Sequence, residues 1–157
     1  MTVSLEEGTS GLTTLRLAFG AEQLTLSLQG AHITSYVSRG QEVLWLSQKA
    51  LFQRGKAIRG GIPLCWPWFG ASQDDPSWPQ HGFARNSQFK LIDQQVTTEH
   101  TAVRLALEND TAIDEWRDTM ALEVEIRLSD SLWMELRSTN LTDRDRLLGA
   151  GLHSYFS

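Results

Sequence analysis

At 157 residues the chain suffices for one domain with a sizeable core of its own. A composition of 41% hydrophobic and 21% charged residues excludes a disordered chain, and a net charge of −5 argues against a broad nucleic-acid or anionic-membrane surface. The single cysteine, Cys65, excludes an internal disulfide; with no apolar run of bilayer length and no export signal in MTVSLEEGTS, a cytoplasmic location is expected.

In chain order, the pattern is strand after strand. Strands are expected near 12–19, 31–37, 42–47 and 85–93, besides three segments with explicit period-2 alternation. Leu24, Leu26 and Leu28 alternate with Gln23, Thr25 and Ser27, and Val103, Leu105 and Leu107 with Arg104, Ala106 and Glu108. The longest run sets Met120, Leu122, Val124, Ile126 and Leu128 against Ala121, Glu123, Glu125, Arg127 and Ser129. A turn at Ser129–Asp130–Ser131 then predicts a hairpin returning over 132–140. Thr111 to Asp118 can hold one turn of helix, too little to change the class. Antiparallel all-β is the expectation, as a single domain over 1–157.

The stretch Gly55 to Arg85 breaks this rhythm. It holds all four prolines and three of the six tryptophans, and proline cannot donate to a sheet ladder, so an irregular loop is expected. Long aromatic loops on a β scaffold are frequent sites of function. At the other end, LLGAGLHSYFS reads as an apolar strand that stops without a partner, leaving an edge that a further strand would cover.

Three segments offer chemistry. In IRGGIPLCWPWFG, Arg59 presents a fixed fork of donors suited to a carboxylate, phosphate or diol, and the two glycines after it allow close backbone approach to a ligand. The alternative is an ordinary structural ion pair. In QHGFAR, Gln80, His81 and Arg85 can ring a polar ligand, although a hydrogen-bonded loop histidine is the commoner use of such a residue. In LHSYF, His153 is either a satisfied core histidine or a general acid suited to neutral pH. The four histidines lack zinc-like spacing, no phosphate-binding glycine loop or nucleophile elbow occurs, and the adjacent acids Asp74 and Asp75 read as solvated loop residues.

Taken together, IRGGIPLCWPWFG, QHGFAR and LHSYF, in this order, resemble the hexose-6-phosphate mutarotases of the galactose-mutarotase-like superfamily; GAHITSYV resembles an early strand pair of the same family. The resemblance implies an antiparallel β-supersandwich, here incomplete at its C-terminus, and interconversion of the α and β anomers of glucose 6-phosphate without metal or cofactor. It places Arg59, Gln80, His81 and Arg85 at substrate-contacting positions and His153 at the catalytic histidine. It also implies that the family's catalytic glutamate and a substrate-contacting acid fall beyond Ser157. After HGFAR, Phe89 stands near the place of a family tryptophan. The expected partner is a hexose 6-phosphate, with no nucleic acid or membrane, and self-association through uncovered sheet edges is expected. A non-catalytic sugar-phosphate-binding β domain is the alternative.

Overall fold

The computed structural model describes residues 1–8, 11–108 and 113–157. Eleven strands are present among them: β1 (Thr2–Glu7), β2 (Thr13–Phe19), β3 (Glu22–Ser27), β4 (His32–Ser38), β5 (Gln41–Glu42), β6 (Leu64–Cys65), β7 (Phe89–Val96), β8 (Thr101–Leu107), β9 (Met120–Leu128), β10 (Leu132–Asn140) and β11 (Gly151–Leu152). They form a five-stranded sheet in the order β1-β2-β3-β4-β5, a four-stranded sheet in the order β10-β9-β8-β7, and a short β11-β6 pair. Every strand pairing is antiparallel.

Period-2 alternation accounts for the packing. On β9, Met120, Leu122, Val124, Ile126 and Leu128 are all buried, while Arg127 on the opposite face is exposed. These side chains meet Leu15 and Leu17 of β2, Leu24 and Leu26 of β3, and Val103 and Leu105 of β8 in one core. Strand β2 packs across both β8 and β9, and β3 across β9, so the two large sheets lie face to face. Each fully buried leucine contributes roughly 1.5–3 kcal/mol of transfer free energy. The hairpin expected after Leu128 is present, with Leu132 opposite Leu128 and Asn140 opposite Met120.

Several boundaries differ from the sequence expectation. β1 has no apolar alternation of its own; it adds to the sheet edge by pairing with β2, and five of its six residues are exposed. The strand expected over 42–47 is only β5 followed by isolated bridges from Leu44 to Phe156 and Leu46 to Gly60. The strand expected over 85–93 starts at Phe89, because Ala84–Asn86 forms a short 3-10 turn first. Of Thr111–Asp118, Thr111 and Ala112 lie outside the described residues; beyond them the Arg117 amide bonds to the Ile113 carbonyl at 3.0 Å, one helical turn that buries Trp116.

The segment from Gly55 to Arg85 is irregular, as its prolines require, yet it is pinned at many points. Gly61 N–H donates to Trp45 O, Ile62 N–H to Ile33 O, Trp66 N–H to His81 O, and Phe83 N–H to Trp66 O. The terminal strand is not unpaired. His153 N–H donates to Pro63 O and Tyr155 N–H to Gly61 O, while Trp45 N–H donates to Tyr155 O and Ser157 N–H to Val43 O. Residues 151–157 therefore run first along 61–65 and then along 43–45, which corrects the expectation of a strand without a partner.

Candidate active site

Strand alternation decides what the terminal segment presents. His153 and Tyr155 are two residues apart in extended chain and so share a face, with ring centroids 4.8 Å apart. The main-chain bonds to Pro63 and Gly61 hold that segment against the loop bearing the other candidate residues.

The loop turns sharply at His81, whose φ of 65° lies in the left-handed region where non-glycine residues are uncommon and histidine is among the tolerated ones. Hydrogen bonds on both sides hold this conformation. His81 N–H donates to Gly70 O at 2.6 Å, and Gly70 N–H donates to His81 Nδ1 at 3.2 Å. With Nδ1 accepting, the neutral ring carries its proton on Nε2, a donor suited to a sugar oxygen. Burial, followed by the positive charges of Arg85 and His153, holds the His81 pKa below its ordinary value. His81 is therefore a neutral donor at pH 7.

His81 and His153 come together, 6.2 Å between ring centroids. Phe69, half exposed, is placed edge-on to His81 at 4.9 Å and stacked on His153 at 6.3 Å. From His153 the contacts continue through Tyr155 to Trp45 at 5.9 Å, and from Trp45 to the Arg59 guanidinium, 6.0 Å from the indole centroid. At the other end, Arg85 Nη2 donates to the Gln80 carbonyl at 2.7 Å, while Arg85 Nε is buried without a partner. The structure thus joins Arg59, His81 and His153 through Trp45 and Tyr155, while Arg85 is tied to the backbone of Gln80, the residue before His81. Arg59 and Gln80 are exposed, and Arg85 is half-buried.

The glycine pair after Arg59 packs closely against neighbouring backbone. A Cβ on Gly60 would stand 2.6 Å from Trp45 O, and one on Gly61 would stand 2.2 Å from Ile33 O. This close approach is between backbone segments of the protein. Cys65 is buried and its thiol is pushed up by burial, which leaves it inert. Asp75 accepts the Ser77 amide at 2.7 Å in an exposed turn, a local loop role. Among the described residues no group of three or more His, Cys, Asp or Glu could hold a metal ion.

Sequence reasoning passed over Phe69, Trp45 and Tyr155. Tyr155 was within reach, because residues two apart in a strand share a face. Phe69 and Trp45 were not, since their positions depend on contacts made across the loop.

A family model described as aldose 1-epimerase matches residues 13–157, which takes in all five sequence-derived residues. The chain belongs to the aldose 1-epimerase family. It is 34% identical over 135 residues to an Escherichia coli (strain K12) protein named "Putative glucose-6-phosphate 1-epimerase", covering 85% of this chain and 44% of that protein. The crystal structure of a "putative mutarotase" from Salmonella typhimurium superposes with a TM-score of 0.79 at 29% identity, over 87% of this chain and 46% of that one. A galactose mutarotase-like protein from Clostridium acetobutylicum, at 17% identity, shares the fold with a TM-score of 0.79, over 99% of this chain and 54% of its own. This family member thus spans about half the length of the relatives it matches. Among its described residues no helix is long and apolar enough to cross a membrane.

Proposed function

We propose that this chain carries the substrate-binding face and the acid half of an aldose 1-epimerase site whose substrate is a hexose 6-phosphate such as glucose 6-phosphate. The observation that carries the reading is the His81–His153 pair set against Phe69 and Tyr155, with Arg59 linked to it through Trp45 and Arg85 bonded to the backbone of Gln80, the residue before His81. Aromatic faces suit the C–H face of a pyranose, and guanidinium forks suit a phosphate. The names of the curated relatives point to the same substrate.

In this reading the exposed imidazole of His153 protonates the ring oxygen as the C1–O5 bond breaks, and a base removes the proton of the C1 hydroxyl. The open aldehyde rotates about C1–C2 and closes with the roles reversed, giving the other anomer. His81, donating from Nε2, orients a ring oxygen or hydroxyl; Gln80, Arg59 and Arg85 hold hydroxyls and phosphate. In this reading the base is a carboxylate. General acid catalysis by a histidine contributes about 10²–10⁴-fold.

Anomerisation of α-glucose 6-phosphate, followed by polarimetry or NMR, tests the reading. The chain alone is expected to bind glucose 6-phosphate with little rate above buffer. Adding the C-terminal half of a longer relative, in trans or fused, is expected to bring turnover. Binding without turnover in either form would make this a sugar-phosphate-binding domain, and absence of binding would overturn the reading.

A further inference from the structure

His32 opens β4 and is fully buried. Its Nε2 lies 2.7 Å from the carbonyl oxygen of Gly60, which can only accept, so Nε2 carries the ring proton. Nδ1 is buried with no partner, and in this tautomer it is a bare lone pair rather than a stranded N–H. The ring lies directly beneath the turn after Arg59: a Cβ on Gly61 would come within 3.0 Å of Nε2. Only a residue without a side chain lets the turn settle this close to the imidazole.

The hydrogen bond falls at a junction. On one side Ser47 N–H donates to Arg59 O and Gly61 N–H to Trp45 O; on the other, Ile62 N–H donates to Ile33 O. Gly60 stands between these two backbone connections, and the His32 side chain reaches its carbonyl as a sheet donor would. The same turn carries Arg59 over the Trp45 ring. A buried hydrogen bond of this kind is worth most through what its loss leaves behind: an unsatisfied carbonyl beneath a turn of two adjacent glycines, which restrain the backbone least of all residues.

We propose that His32 is a positioning residue for Arg59: through Nε2–H···O=C to Gly60 it fixes the Arg59–Gly60–Gly61 turn and so the direction of the guanidinium at the substrate site. This rests on the reading that Arg59 binds the sugar phosphate, and the test separates the two. A glutamine at position 32 can place its amide N–H near the position of Nε2, whereas asparagine is too short and methionine has no donor.

The full chain is prepared as wild type, His32→Gln, His32→Asn, His32→Met, Arg59→Ala and the double variant His32→Met/Arg59→Ala. Glucose 6-phosphate affinity is measured together with exchange of the Gly61 amide against Trp45 O. His32→Met is expected to weaken binding about tenfold or more and to speed Gly61 exchange. His32→Gln is expected to restore both, and Arg59→Ala is expected to add little on top of His32→Met. If His32→Met does not fold, His32→Asn takes its place with the same expectation. Losses that simply add, or binding and exchange unchanged in a folded His32→Met or His32→Asn, would overturn the proposal. If the wild type itself does not bind glucose 6-phosphate, the substrate reading falls and the exchange data alone decide His32: faster Gly61 exchange in the donor-less variants, reversed by glutamine, supports positioning, and unchanged exchange overturns it.

Discussion

The imidazole rings of His81 and His153 stand 6.2 Å apart at an interplanar angle of 63°, and the phenyl ring of Phe69 contacts both. Burial first, then Arg85 and the neighbouring His153, lowers the His81 pKa. Two histidines in contact, one of them held neutral, allow a division between a donor that orients and an acid that cycles its proton.

Replacing His153 by Asn is expected to lower turnover about 10²–10⁴-fold in any assembly that turns over, with glucose 6-phosphate affinity nearly intact. Turnover and titration measured on the same preparation check this. Near-normal turnover would reduce His153 to an aromatic neighbour of Tyr155 and Phe69.

Arg59→Lys and Arg85→Lys each keep the charge and lose the planar fork. Either change is expected to cost roughly 1.5–3 kcal/mol of glucose 6-phosphate binding. The Arg85→Lys change also forfeits the Nη2 bond to the Gln80 carbonyl. Calorimetric titration with glucose and with glucose 6-phosphate separates phosphate recognition from hydroxyl recognition; equal affinity of the wild type for both would dismiss an anion site.

Acid should weaken the fold through His32. Burial first, opposed by the Gly60 bond and reinforced by the charge of Arg85, lowers its pKa from 6.5 to about 4. Above pH 6.5 both folded and unfolded chains hold His32 neutral, and its contribution is complete. As pH falls from 6.5 toward 4 the unfolded chain takes up a proton that the folded chain refuses, so stability declines, by on the order of 3 kcal/mol across the window. Urea unfolding at several pH values should show this decline in the wild type and a shallower one in His32→Gln. Parallel curves for the two proteins would contradict it.

Gly82→Ala should be among the most damaging single changes. Its φ is +74°, and an added Cβ would stand 1.9 Å from Trp66 O, the carbonyl that accepts the Phe83 and Ala84 amides. Strain and lost bonds together predict roughly 3 kcal/mol or more of destabilisation, read as a fall in the urea midpoint.

Large apolar side chains are exposed in the C-terminal segment. Leu147 and Phe156 are largely exposed, and Phe156 lines a groove with Tyr36, Val43, Ile62, Leu132 and Met134. Concentration-dependent self-association of the isolated chain is expected from such a surface. Light scattering across a dilution series tests it, and a monodisperse monomer at all concentrations would count against it.

Much of this protein was legible as pattern. Strict alternation over 120–128 assigned β9 its buried face, and the Ser129–Ser131 turn assigned β10 its partner, because side-chain period and turn chemistry are local properties of the chain. The three motifs also carried the family. Local pattern could not supply β1, which has little burial to shape its sequence and exists through pairing with β2. Nor could it place the aperiodic stretch from Gly55 to Arg85, whose geometry is set by hydrogen bonds to Ile33, Trp45 and the terminal segment. The glycines after Arg59 show the difference most directly. Their presence signalled a close approach, but only the folded chain decided that Trp45, Ile33 and the His32 ring make it, because an approach between segments distant in sequence leaves no periodic trace in either one.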